Sequence, residues 1–207
     1  MPARILHITK ATGISGSERH LLSLLSGLDR SRFEPILLIL EEPERPQDEL
    51  AQRFEANGVT VKRLRIESNI SPGLVFRLRR LMREGNYDLV HTHLVHADWY
   101  GTVAACLAGV SHCVTSRHND NAFRRGRLFS FVDRLISRKD DQIIVISEWV
   151  GRFMREVEHL SAGKIRVIRY GLQIERLPTV PLREQIQLRS EFGISESAPL
   201  ATMPRGR

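Results

Sequence analysis

Histidines crowd one short stretch of the chain, His91-Thr92-His93-Leu94-Val95-His96-Ala97-Asp98. If this stretch ends a strand, His91 and His93 project from one face, because side chains alternate with period two, while His96 and Asp98 open the next helix. Imidazoles so placed can bind a metal, wall a polar substrate or hydrogen bond one another. Zinc is the weakest of the three readings, since the loop lacks Cys and meets no ligand spacing of a zinc motif. A second run, Thr115-Ser116-Arg117-His118-Asn119-Asp120, places successive polar groups at an apolar segment's end, where they need ligand, water or one another. A third, Thr9-Lys10-Ala11-Thr12-Gly13-Ile14-Ser15-Gly16-Ser17-Glu18-Arg19, carries two glycines that let backbone approach a ligand. A helix starting near Ser17 would aim free N–H groups at an anion. Ser15 and Glu18 also have capping-box spacing, so a plainly capped helix fits the same residues. A fourth, Arg169-Tyr170-Gly171-Leu172, suggests a tight turn.

Other chemistries are excluded by what is missing. The glycines lack the Gly-x-Gly-x-x-Gly spacing of dinucleotide folds and the Gly-Lys-Ser/Thr ending of a P-loop. No Ser, Cys or Asp sits in a nucleophile elbow. Glu148 and Glu156 are eight apart, as are Glu41 and Glu49, which chance supplies among 16 glutamates.

The elements that must position these runs are legible from apolar patterning. Strands are expected at Arg4–Thr9, Pro35–Leu40, Val59–Leu64, Leu89–Thr92, Cys113–Ser116, Gln142–Ile146 and Ile165–Ile168. Several are near-continuous Val/Ile/Leu, as in strands covered on both faces. Amphipathic helices are expected between them at Ser17–Leu28, Gln47–Asn57, Gly73–Glu84, His96–Ala108, Leu128–Arg138 and Glu148–Glu158. Strict alternation implies a doubly wound α/β domain, a Rossmann-like parallel sheet of about seven strands over residues 1–177. Residues 178–207 read differently. Leu177-Pro178-Thr179-Val180-Pro181 is a linker, Leu182–Phe192 a helix stopped by Gly193, and Pro199–Met203 an orphan strand. They look like the opening of a second domain.

Composition bounds the partners. With 42% apolar and 27% charged residues, the chain is an ordinary globular one. The formal charge is +7, and Arg supplies 27 of 31 cations. Residues 1–60 are net −2, residues 61–140 net +7 and residues 141–207 net +2. Arg77, Arg79, Arg80 and Arg83 share one expected helix, and Arg124, Arg125 and Arg127 precede another. Such surfaces suit an anionic membrane or a solvated face. Nucleic acid is not expected, because aromatics are 6% and do not interleave the Arg clusters. Cys106 and Cys113 read as core thiols of a reducing compartment. The apolar run after Met1 is too short for a signal peptide, so a cytoplasmic chain is expected, either free or peripheral at the inner face of the membrane.

Taken in order, the runs resemble the N-terminal half of a GT-B glycosyltransferase of family 4. The carriers are Arg4-Ile5-Leu6-His7-Ile8 with Ile14–Leu22, Tyr87–His93, Thr115–Asp120, Ile144–Glu148 and Ile165–Leu172, across residues 4–177. The resemblance implies a retaining enzyme that needs no metal or other cofactor and uses a nucleotide-sugar as co-substrate. It implies that this half holds the acceptor, a lipid-linked, saccharide or other small molecule of cell-envelope polysaccharide synthesis. A second domain, in the same or a separate chain, would bind the donor, and this half alone would be inactive or a non-catalytic subunit. His118 would be the catalytic residue facing the transferred sugar. Gly16 and Ser17 would approach the donor phosphates, with His93 and His96 lining the cleft. Gly13, Ser15, Arg117, Asn119, Tyr170 and Gly171 complete the expected substrate-binding set. The family usually has Gly-Gly where this chain has Ser15-Gly16, and Asn-Gly where it has Tyr170-Gly171.

Overall fold

The computed structural model describes residues 1–67, 71–119, 126–171, 182–195 and 198. Asp120, Arg124, Arg125, Leu172, the expected linker and the expected strand at Pro199–Met203 lie outside them. The chain forms two compact units, Met1–Gly171 and Leu172–Arg207.

In the first unit, strands and helices alternate: β1 (Ala3–Lys10), α1 (Gly16–Gly27), β2 (Phe33–Glu41), α2 (Asp48–Glu55), β3 (Thr60–Arg65), α3 (Pro72–Gly85) and β4 (Leu89–His93). There follow α4 (Leu94–Ala108), β5 (His112–Arg117), α5 (Arg127–Ser137), β6 (Gln142–Val145), α6 (Glu148–Glu156) and β7 (Ile165–Val167). All seven strands are parallel, in the order β3-β2-β1-β4-β5-β6-β7. The order reverses between β1 and β4. Loops leaving the carboxyl ends of these two strands diverge to opposite faces and open a crevice, the usual ligand position in such sheets.

Both faces are packed, which is why the strands are so apolar. Leu6, Ile8, Leu38 and Val90 meet Leu74, Leu78 and Met82 of α3 and Ala97, Ala104 and Ala105 of α4. On the other face Leu37 and Ile39 meet Leu21 and Leu25 of α1 and Leu50 and Phe54 of α2. Ile143 and Val145 seat α6 through Val150, Phe153 and Met154. Gly101 sets how closely α4 approaches, for a Cβ there would stand 2.6 Å from the Thr92 methyl.

Two local devices aim the chain at the crevice. The Ser15 N–H donates to Glu18 Oε2 at 3.0 Å, so the capping box forms and fixes the start of α1. Between β4 and α4 there is no loop. Leu94 takes φ +67, a left-handed conformation unfavourable to a branched side chain, and the strand turns directly into the helix. The expected helix start at His96 is therefore two residues late.

The second unit contains α7 (Leu182–Glu191), with Arg189 donating to the carbonyls of Ser195 and Ala198, both at 2.8 Å.

Candidate functional site

Strand register builds the site. His7 of β1 lies beside His91 of β4, and His93 lies beside Ser116 of β5. These side chains share the sheet face that α1 flanks, and successive rings come into contact. Ring centroids are 5.0 Å apart for His7–His91, 4.2 Å for His91–His93 and 5.9 Å for His93–His118. The row continues past the end of β5. His118 Nδ1 hydrogen bonds the Tyr170 hydroxyl, and His20 of α1 stacks on the Tyr170 ring at 3.7 Å. Five of the eight histidines thus form one ladder across β1, β4, β5, α1 and the segment after β7. Beside it lies a cavity of about 300 Å³, lined by His20, His91, His118 and Tyr170 and by aliphatic side chains such as Ile144 and Ile168.

Burial sets the charge state of the ladder. Desolvation, and next the facing His91, holds His7 well below its ordinary pKa, and desolvation does the same for His93. His91 falls to about 3 by burial and then by His118 and His20. His118 falls to about 4, chiefly by burial. Burial, with Glu18 adding to it, pushes the Tyr170 hydroxyl up to about 12. At neutral pH the ladder is uncharged, able to donate and accept hydrogen bonds but not to act as a strong acid.

A depressed histidine takes no proton in the folded state where the unfolded chain, with pKa near 6.5, does so. This stabilisation is present above pH 6.5 and is lost as pH falls toward 4 and 3. Asp140, pushed up to about 7 by burial and then by Asp98, works in the opposite direction. Five depressed histidines, His20 among them by burial, outweigh one carboxyl. We therefore expect stability, measured by guanidinium unfolding, to fall by about 1 kcal/mol per pH unit for each net histidine below pH 6.5. His91→Asn is expected to make that fall shallower.

His7, His91 and His93 bring ring nitrogens within 4.8 Å of one another, a set that could in principle hold a metal. A bound imidazole normally anchors its second nitrogen on a carboxylate, carbonyl or water. His7 Nε2 and His93 Nδ1 are buried without such partners, while His7 Nδ1 and His93 Nε2 face each other at 3.2 Å. His91 Nε2 is engaged with Ser116 Oγ at 2.8 Å. This geometry suits a hydrogen-bonded imidazole stack better than a ligand shell.

Of the expected site residues, the structure gathers His93, His118 and Tyr170, with Asn119 and Gly171 adjoining them in sequence. Gly13, Ser15, Gly16 and Ser17 lie in the loop and first turn leading into α1, the helix that carries His20. His96 instead packs its ring against Tyr100 of α4, with centroids 4.9 Å apart. Arg117 requires a correction. Strand alternation turns it to the face opposite His118, where it is 1% exposed. Its guanidinium contacts Asp98 at 2.6 Å, Asp133 at 2.7 Å and Glu158 at 3.3 Å. It ties α4 and α5 to the sheet and is not available to a substrate. Conversely, His7 and His20 were not among the expected site residues, and Glu18 was expected only as a helix cap. Glu18 is 5% exposed at the start of α1 and electrostatically felt by both His118 and Tyr170. Period two from Thr9 to His7, and one helical turn from Gly16 to His20, are the signals that would have found these two histidines.

Comparison with known proteins supplies the family. The model of Glycosyltransferase Family 4 matches residues 14–176. No curated protein matches the sequence. Among solved structures, Alr3699/HepE of Anabaena in complex with UDP and glucose aligns with TM-score 0.73 at 19% identity, over 92% of this chain and 50% of its own. A glycosyltransferase from Rickettsia africae aligns with TM-score 0.70 at 16% identity, over 96% and 51%. The lipopolysaccharide outer core galactosyltransferase WaaB aligns with TM-score 0.63 at 14% identity, over 87% and 50%. The chain spans about half the length of these proteins. With a match covering most of its first unit and a sheet of the same fold, the chain belongs to glycosyltransferase family 4.

Proposed function

We propose that this chain is the acceptor-side half of a retaining glycosyltransferase that draws on a nucleotide-sugar and needs no metal. The convergence of His93, His118 and Tyr170 with the start of α1, above one crevice, carries this reading. Breaking a sugar–diphosphate bond develops negative charge on the leaving group and positive charge on the ring. The N-terminal turn of α1, at Gly16 and Ser17, offers backbone donors and the positive end of its dipole to the former. Neutral His118, braced by Tyr170, would hydrogen bond the sugar being transferred. HepE has been seen with UDP-glucose, which supports a nucleotide-sugar donor here. The acceptor would be lipid-linked, a saccharide or another small molecule of cell-envelope polysaccharide, met at the inner face of a membrane. Among the described residues no helix is long and apolar enough to cross one.

The remaining donor contacts would come from a second domain, in the same polypeptide or a separate one. Calorimetric titration of the purified chain with several nucleotide-sugars tests the division of labour. With half the contacts, dissociation constants weaker than about 100 µM are expected, with negligible turnover. Micromolar binding accompanied by turnover would overturn it.

A further inference from the structure

α5 is apolar on two sides. Its inner side is anchored, since Phe129 stacks on Trp99 with centroids 4.7 Å apart and Asp133 accepts from both Trp99 and Arg117. Its outer side is bare among the described residues. Leu128 is 78% exposed, Phe131 55% and Leu135 53%. At about 100° per residue these three fall within about 60° of one another and make one stripe along the helix. Arg127 and Arg134 run along one edge of it, and Arg138 and the exposed Lys139 follow the end of the helix. The only acidic residue of α5, Asp133, is buried and paired. Apolar surface continues onto α6. Phe131, Arg127 and Val157 line one hollow, and Val157 shares the next with Trp149, which is 60% exposed. Surface helices normally turn a polar side to water, so a contiguous exposed apolar stripe marks a contact.

We propose that this surface docks on an anionic lipid bilayer. Leucine and phenylalanine at the centre, arginines and a lysine at the rim and an exposed tryptophan at one end are what an interfacial helix presents to headgroups and acyl chains. Charge decides between a bilayer and a protein groove: Arg127 and Arg134 flank the stripe, Arg138 and Lys139 follow its end, α5 carries no exposed carboxylate, and the exposed Glu148 and Glu156 are confined to α6, where Arg152 and Arg155 offset them. The arginines of α3 are a poorer candidate. Arg77 and Arg79 are spent on the carbonyls of Arg65 and Leu107, and Arg80 on Glu84, with no apolar stripe between them.

Co-sedimentation of the full chain with phosphatidylcholine vesicles, with and without about one-third phosphatidylglycerol, tests this. Binding is expected only to the anionic vesicles, with a blue shift of Trp149 emission that Trp149→Phe removes. Raising salt from low to high ionic strength is expected to weaken it about tenfold. The substitution Phe131→Glu, and the triple Leu128→Glu/Phe131→Glu/Leu135→Glu where it folds, are expected to weaken it at least about tenfold with unchanged circular dichroism. Equal binding by Phe131→Glu, absence of salt-sensitive binding, or self-association through the same face would overturn the proposal. No sugar enters the assay, so its failure leaves the glycosyl-transfer reading untouched.

Discussion

Replacing Arg117 by Met is expected to cost about 3–5 kcal/mol, enough to unfold much of the protein at 37 °C. The guanidinium is 1% exposed and the carboxylates of Asp98, Asp133 and Glu158 around it are 0% exposed. Burial pushes the Arg117 pKa down, but the surrounding carboxylates outweigh it and raise the value overall. Nη1 and Nη2 also divide the work: Nη2 reaches Asp98 and Ser137, Nη1 reaches Asp133 and Glu158. A planar fork reaches partners on three segments from two separate nitrogens, whereas a lysine ammonium is a single compact point of contact. Removing it leaves three buried acids to repel one another, with Asp140 close behind. Urea or guanidinium unfolding of Arg117→Met and Arg117→Lys checks this, and both should fall well below the parent. A loss under about 1 kcal/mol for Arg117→Met would mean the acids are already protonated and the network is not ionic.

His118→Ala is expected to lower transfer by the enzyme assembled with a donor half about 100-fold, while leaving the fold intact. The figure is that of a hydrogen bond to a group gaining charge, about 1.5–3 kcal/mol. Because His118 stays neutral down to about 4, the parent's rate should be flat from pH 5 to 8 with respect to this group. A general acid would instead give a limb near neutrality. His118→Gln, which keeps a donor and an acceptor, is expected to recover part of the loss, and Tyr170→Phe to cost less than His118→Ala. Equal rates for His118→Ala and the parent would remove His118 from the site.

These two residues, adjacent in sequence, show how far the chain could be read unaided. The apolar runs announced all seven strands, and their alternation with helices announced a parallel sheet, because burial on both faces leaves little freedom in composition. Within the run Thr115–Asp120 every residue is polar, so residue type alone could not say which side chains face the crevice. Strand alternation, applied strictly from Ser116, separates His118 from Arg117; applied from His91 to His93 it already placed that pair correctly. His7 was hidden in an apolar strand and His20 in a helix; the β1–β4 register brings the first to the others, and stacking on Tyr170 brings the second. The start of α4 was misjudged because a positive φ at Leu94, a branched residue, carries no local signature. Nor could hydropathy say that the apolar residues of α5 split between an anchored and a bare side.

The imidazole ¹H–¹⁵N spectrum of the purified chain, titrated with a nucleotide diphosphate-sugar to millimolar concentration, tests the central claim most directly. We expect the ring signals of His20, His93 and His118 to move together along one weak isotherm, with those of His112 and His159 unchanged. Signals that stay fixed at saturating ligand, or that move only at His112 and His159, would contradict a donor-facing crevice at the carboxyl ends of β1, β4 and β5.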